Sequence, residues 1–534
     1  MDSGKKRRED IYFSKNKDEK EGGIMNKKKF LISVLVVSLT ILTLSSAVAE
    51  EFTLLGRPLK LFGYATQGAG FSLINSDRYD TMRGLQTALT NLFAEGDYAI
   101  RDDLKFYASG MLTVDWAYQL NSYRDSWSNK LFNQSKDYLN VDDKDWQLLK
   151  EARLTWSPGD FMFRVGKQIV AWGEMDGFRL MDQINPLDGR RGFADVEFET
   201  TIIPTWLARV DYYPKLNLGW LPDLGFEFVF NPNAEFIPNQ DIRTGNDVGG
   251  IWAPNVLISG PFPGGEAHLG SIFRDITKPK AFNSDGYEYA FRVKGNLLGS
   301  IVTLNYFYGL DNDFVSLNEP IPPRITMASD GKLIIHPFIK GKYPLFRFAG
   351  ATFSRDVTPL RASFLGDVAP VVRVEAFYAF DNTFASSLNR YIHSDEFRGA
   401  IGLDWKVKIP FLNARTYFGI GPQFYWRRII DYPSVARVSG LASEELPGLY
   451  KDNFQSTLGI NTQYFHGKLS PSFFWLRDWR TSSDFFRFQV VYDHDYHWHL
   501  TIGALVFDGS KTNQGFNVFE DKNQLYFKIS YKWG

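Results

Sequence analysis

From Leu104 to Gln119, one set of alternate positions reads Leu104, Phe106, Ala108, Gly110, Leu112, Val114, Trp116 and Tyr118. The other reads Lys105, Tyr107, Ser109, Met111, Thr113, Asp115, Ala117 and Gln119. Successive strand side chains point to opposite faces, so this segment predicts a strand with one apolar and one mainly polar face. The same alternation sets Val302, Leu304, Tyr306 and Tyr308 against Thr303, Asn305 and Phe307, and Val372, Val374, Ala376 and Tyr378 against Arg373, Glu375 and Phe377. Near the end, Trp498, Leu500, Ile502 and Ala504 alternate with His499, Thr501 and Gly503.

A secreted sandwich would also alternate, because each of its sheets turns one face to water. Three features favour a membrane barrel instead: segments of about 10 residues or more, aromatics toward their ends, and connections that alternate between short and long. The pattern predicts strands at 58–72, 83–98, 104–118, 147–157, 161–173, 203–213, 224–231, 286–296, 299–308, 345–365, 371–380, 396–408, 415–428, 455–465, 469–477, 485–492, 496–507 and 524–533. The fold class is therefore all-β: a transmembrane antiparallel up-and-down β-barrel of about 18 strands, with 14 or 16 as alternatives, long extracellular loops and short periplasmic turns. An even count puts both ends in the periplasm. The turns at 101–103, 158–160, 466–468 and 493–495 fall on that side, and the segments 174–202, 232–285, 309–344 and 429–454 fall outside.

Composition sharpens this picture. The chain has 534 residues, no cysteine, and 46 Phe, 26 Tyr and 14 Trp. Disulfides, thiolate zinc sites and iron–sulfur clusters are excluded. The one long apolar run is Phe30–Leu44, preceded by Lys27, Lys28 and Lys29 and followed by Ala47-Val48-Ala49. It reads as a secretory signal peptide over 25–49 cleaved near Ala49, too short for a permanent anchor. Residues 1–24 are polar and lack periodicity, and Lys20-Glu21-Gly22-Gly23 can be encoded by a purine-rich ribosome-binding sequence before Met25. They read as a mis-called start, which leaves 50–534 as the barrel. Without residues 1–49 the formal charge is about −5, a balance that gives nucleic-acid binding no support.

The ending Tyr526-Phe527-Lys528-Ile529-Ser530-Tyr531-Lys532-Trp533-Gly534 resembles the C-terminal signal that outer-membrane barrels present to their assembly machinery, although Gly534 follows the terminal aromatic. The densest unusual cluster is Val165-Gly166-Lys167-Gln168-Ile169-Val170-Ala171-Trp172-Gly173-Glu174, followed by Ile184-Asn185-Pro186-Leu187-Asp188. Here the chain resembles a proteobacterial outer-membrane family of unknown function, described as porin-like, that carries a GRQ…WGE…INP.D block after a short Pro-Gly hairpin. Lys167 stands where that family commonly has Arg, and the chain diverges after Asp188. Thinner echoes occur at Phe348–Ser354 and Val374-Glu375. The resemblance implies a porin-like barrel and transfers no substrate.

Parity places Glu151, Arg153, Arg164, Gln168, Arg373 and Glu375 on the lumenal face, with Glu174 opening a loop that can fold back over them. These are the pore-lining candidates, and oppositely charged groups there would set up a transverse field acting on polar solutes. The competing reading makes them ion pairs that stiffen the wall. Trp172, Asn185, Pro186 and Asp188 are the loop candidates, with Asn185-Pro186 as a turn-forming pair. Among the seven histidines, His497 and His499 share a strand face but lack clear third and fourth ligands, so no metal and no cofactor is assigned. No G-x-S-x-G elbow or Walker A motif occurs, and no catalytic residue is named. The leading function is passive or substrate-selective passage of small or hydrophobic solutes, the apolar variant being suggested by Tyr107 and Phe307 on the inner parity. Expected partners are outer-membrane lipid, the barrel assembly machinery and a small-molecule solute, with a homo-oligomer allowed. An outer-membrane hydrolase acting on lipid or glycan, or a structural partner of a periplasmic complex, are the alternatives.

Overall fold

A computed structural model describes residues 51–534 except 75–82, 117–147, 177, 188–200, 217–218, 233–256, 260–265, 270–272, 281, 319–321, 328–332, 386–388, 433–449, 511–514 and 520–521. Asp188 and the segment 1–49 lie outside the described residues.

Eighteen strands close on themselves as an antiparallel up-and-down barrel. In chain order they are β1 (Arg57–Ser72), β2 (Leu89–Arg101), β3 (Leu104–Asp115), β4 (Glu151–Trp156), β5 (Phe161–Gln168), β6 (Thr205–Tyr212), β7 (Leu224–Asn231), β8 (Glu288–Leu297) and β9 (Ser300–Leu310). They continue with β10 (Leu345–Asp356), β11 (Val371–Ala385), β12 (Tyr391–Val407), β13 (Phe418–Ile429), β14 (Asp452–Asn461), β15 (Leu469–Asp478), β16 (Ser483–Asp493), β17 (Trp498–Gly509) and β18 (Gln524–Trp533). Each pairs with its sequence neighbours, and β18 closes on β1 from Gly63↔Trp533 to Ser72↔Gln524. All eighteen expected strands are present, and closure leaves no unpaired edge in the wall.

The two parities resolve as expected. Leu112, Leu304, Ile502 and Phe527 point outward and are exposed, whereas Met111, Thr113, Thr303, Asn305 and Phe307 point inward and are buried. The outward face is thus an apolar belt. Aromatics crowd its lower rim, where Phe161 stacks on Tyr212 at 4.6 Å and Trp156 on Phe163 at 5.5 Å. The turns on the side of the chain ends are short. One two-residue turn, Leu298-Gly299, adopts positive φ at both residues, which suits Gly299 and strains Leu298.

Several boundaries differ from expectation. The strand expected over 161–173 stops at Gln168, and that expected over 345–365 stops at Asp356, where 3-10 turns at Thr358–Leu360 and Ser363–Leu365 take over. The 83–98 strand is interrupted at Ala88, leaving a short strand Gly84–Thr87 before β2 that carries a bulge at Gln86 opposite Gly70 and Phe71. At the opposite end, the segments 232–285 and 309–344 are not loose excursions. Residues 267–269 pair in parallel with 333–335, and Phe273–Thr277 with Phe338–Lys342, so small sheets join the two loops to each other.

Candidate functional site

The segment after β5, expected to open a loop that can fold back, turns into the barrel. Val170, Trp172, Met175, Phe178, Leu180, Met181 and Ile184 form one apolar cluster with inward side chains of the wall, among them Leu207, Val229, Phe307, Phe348 and Phe377. Burial of this many large side chains, each contributing about 1.5–3 kcal/mol, drives the chain inward. Phe178 reaches across to stack on Tyr425 of β13 with centroids 5.1 Å apart. At Gly350 of β10 an added Cβ would lie 2.6 Å from Met181 Cε and 2.7 Å from the Ala376 carbonyl oxygen, so the loop sits where only a glycine leaves room.

Polar groups pin this plug at three places. At its base, Asn185 is fully buried: Oδ1 accepts from Val170 N at 2.8 Å, and Nδ2 donates to Gln168 O at 3.2 Å, Ile203 O at 3.0 Å and Thr205 Oγ1 at 3.2 Å. The Pro186 carbonyl accepts from Ile203 N at 2.9 Å. In the middle, Asp182 Oδ1 gathers the amides of Trp172 at 2.6 Å and Gly173 at 2.9 Å. At the far wall, Glu375 Oε1 accepts from the amides of Glu174 and, at 2.8 Å, Met175. Beside it Arg373 Nη1 donates to the Glu174 carbonyl, and Nη2 bridges Asp176 at 2.7 Å and Asp404 at 2.8 Å. Unmade buried hydrogen bonds cost about 1–3 kcal/mol each, so a backbone turned into a lumen requires such acceptors.

The charged candidates therefore divide. Arg373 and Glu375 do face the lumen, and they hold the loop. Glu151 and Arg153 pair along their own strand at 2.5 Å, with Arg153 stacked 4.0 Å over Tyr107. The register sets Arg164 opposite Thr155 on β4 and Arg209 on β6. Its Nη2 lies 3.8 Å from Met162 Sδ, and its buried Nε has no hydrogen-bond partner. Gln168 is fully buried at the loop base, donating to Leu207 O at 3.2 Å. Glu174 sits beside Arg373; burial pushes its carboxyl above the usual range, against the attraction of Arg373 and Arg292. Phe307 packs into the apolar cluster of the plug.

Four residues not singled out from the sequence complete the network. Glu227 Oε1 accepts from the Trp172 indole at 2.8 Å, while its Oε2 binds Arg292 at 2.6 Å and Arg209 at 3.1 Å; Arg209 also clasps Asp211 through two 2.8 Å contacts. Their signal in the sequence is a charge at an inward position of an otherwise apolar-out strand. Asp176 on the loop and Asp404 on β12 border a lumenal cavity of about 780 Å³, shared with Asp356, Gln423 and Thr457. The cavity beside the plug is thus lined with charge.

His497 and His499 serve a turn. His497 Nδ1 lies 2.8 Å from Lys532 O, and His499 Nδ1 lies 2.5 Å from Asp493 Oδ1. Asp493, His499 and Ser530 share one register row across β16–β18. They form no hydrolytic relay, since His499 Nε2 faces Tyr496 O at 3.2 Å and Ser530 Oγ bonds Thr66 Oγ1 at 2.9 Å.

Among solved structures, the chain is similar to OmpT, an outer-membrane protein of Vibrio cholerae (9% identity, 91% of this chain and 99% of that one, TM-score 0.36). It is also similar to Pseudomonas aeruginosa OccK5 (10%, 89% and 98%, 0.43) and Acinetobacter baumannii OccAB2 (8%, 89% and 98%, 0.40). No curated protein matches it. Residues 65–233, which contain the inward loop and the strands on either side of it, match the family described as "Protein of unknown function (DUF1302)".

Proposed function

We propose that this protein is an outer-membrane channel for small polar or charged solutes, constricted by the inward loop 169–187. The observation that carries this reading is the plug fastened to one arc of the wall by Trp172–Glu227, Glu174–Glu375 and Asp176–Arg373, with a charged cavity left open beside it. An apolar outer belt, both chain ends on the short-turn side and a closed sheet suit a bilayer whose periplasmic face receives those ends. In a narrow, partly dehydrated passage each lumenal charge is weakly screened, so the unequal wall charges would sort solutes by sign and orientation. The aromatic alternation of β18 fits recognition by the assembly machinery. Stepwise ionic current from the purified full-length barrel in planar bilayers would support the proposal. Absence of current from heat-modifiable, correctly folded protein would refute it and favour the assembly-partner reading.

A further inference from the structure

Three turns at the end of the barrel that carries both chain ends differ from the rest of that rim. Segments 357–370, 408–417 and 462–468 join β10 to β11, β12 to β13 and β14 to β15. Between β8 and β9 the wall reverses in Leu298-Gly299 alone, so chain reversal does not require the added residues. Each of the three turns lifts a phenylalanine into solvent: Phe364 is 80% exposed, Phe411 86% and Phe465 72%. Local folding does not call for these rings. Phe465 and His466 hold φ of 52° and 59°, a left-handed backbone that favours Asn or Gly and strains a bulky residue.

The turns are also fastened to one another. Lys408 N donates to Leu365 O at 2.7 Å and Tyr417 Oη to Gly366 O at 3.2 Å, which joins the first turn to the second. Buried Asn413 joins the second to the third, its Nδ2 donating to Gln463 O at 2.8 Å and Thr462 Oγ1 at 3.0 Å. The three rings therefore stand on one braced platform. Arg361, Lys408, Arg415 and Lys468 give these turns a positive balance against the one acid, Asp367, while Arg355 and Asp356 at the end of β10 offset each other. Thr358, Arg361 and Asp367 of the first turn also line the cavity of about 780 Å³, so the platform flanks the end of that cavity.

We propose that this platform is the docking surface of a soluble periplasmic protein, one that offers an apolar recess edged by carboxylates and exchanges solute with the barrel there. Exposed aromatic anchors among charges of mainly one sign are the make-up of an interface, the rings supplying affinity and the charge steering the encounter. The competing occupant is the inner lipid leaflet. Fluid lipid needs no braced seat, and the first turn borders the lumen as well as solvent. The docking rests on the channel reading for its orientation and not for conduction.

The test uses the full-length barrel in the cells that produce it, with photoreactive benzoylphenylalanine replacing Phe411 or Phe465, and exposed Asp102 of the 101–103 turn as the control site. Irradiation is expected to join one and the same soluble protein to the Phe411 and Phe465 sites and none to Asp102. That protein, purified, is expected to bind the barrel in nanodiscs of phosphatidylethanolamine and phosphatidylglycerol, more weakly as salt rises. Phe411→Ser and Arg415→Glu are each expected to raise its Kd at least about tenfold, with gel heat-modifiability unchanged because both side chains are exposed. Lipid adducts alone, no adduct, different proteins at the two turns, an equal yield at Asp102, or unchanged affinity in both variants would overturn the proposal. The same adduct on a barrel without ionic current would uphold the docking and refute the channel; current from a barrel without an adduct would do the reverse.

Discussion

The indole Nε1 of Trp172, carried on the inward loop, donates to Glu227 Oε1 on β7 at 2.8 Å, and both side chains are almost fully buried. This one contact ties a loop to a wall 55 residues further along the chain. Glu227 is also held by Arg209 and Arg292, so the acceptor is fixed from the wall side as well. Trp172→Phe keeps the ring packing and removes the donor. It is expected to cost about 1 kcal/mol of loop stability and to appear as larger, noisier open-state current, with gel heat-modifiability unchanged.

Glu375→Ala removes the acceptor for two loop amides without touching the outer belt. With buried N–H groups left unsatisfied, the loop loses about 2–4 kcal/mol, and conductance should rise while the barrel still folds. Gly350→Leu tests the same seat sterically, since its side chain must displace Met181. Limited proteolysis that cuts both variants within 169–187, and the wild type only slowly, would check the released loop.

Charge selectivity separates wall structure from constriction. Arg164→Ala should move the reversal potential under a salt gradient toward cation preference, and Glu174→Gln should move it toward anions. The wild type should follow the second variant as pH falls. Burial raises the Glu174 pKa, so its negative charge is present above that value and is lost on acidification at a higher pH than an ordinary carboxylate. A Glu174→Gln protein should lack that part of the pH response.

The outward parity is tested by Leu112→Arg, which sets a charge on the lipid face at a cost of about 2–4 kcal/mol and should sharply reduce assembly. Thr113 is a poor lumenal control, being buried and bonded to Asn91 at 2.9 Å, so an arginine there would overpack the wall. Thr501 borders an open recess of the lumen, and Thr501→Arg should assemble near wild-type yield. Equal loss in both would argue against the bilayer assignment.

Strand number and parity were legible because each wall strand carries a belt residue at every second position, a period-2 signal that little disturbs. Strand ends were less so. Ile169, Val170, Ala171 and Trp172 extend the apolar run of β5, and nothing local distinguishes a run that continues up the wall from one that turns into a core. Arg373, Glu375 and Asn185 were found as lumenal or loop residues, but their role as acceptors and clamps for loop backbone depends on partners about 200 or 18 residues away. The surroundings of Arg164 were hidden for a similar reason: the pairing of β5 with β6, joined through the long inward segment, sets it opposite Arg209.

The central claim is that loop 169–187 narrows a conducting lumen. Its most direct test is single-channel conductance in planar bilayers, comparing the wild type with a variant whose residues 171–182 are replaced by a short Gly-Ser linker. The claim predicts a small, steady conductance in the wild type and a severalfold larger one in the variant. Equal conductance in the two folded proteins, or none in either, would contradict it.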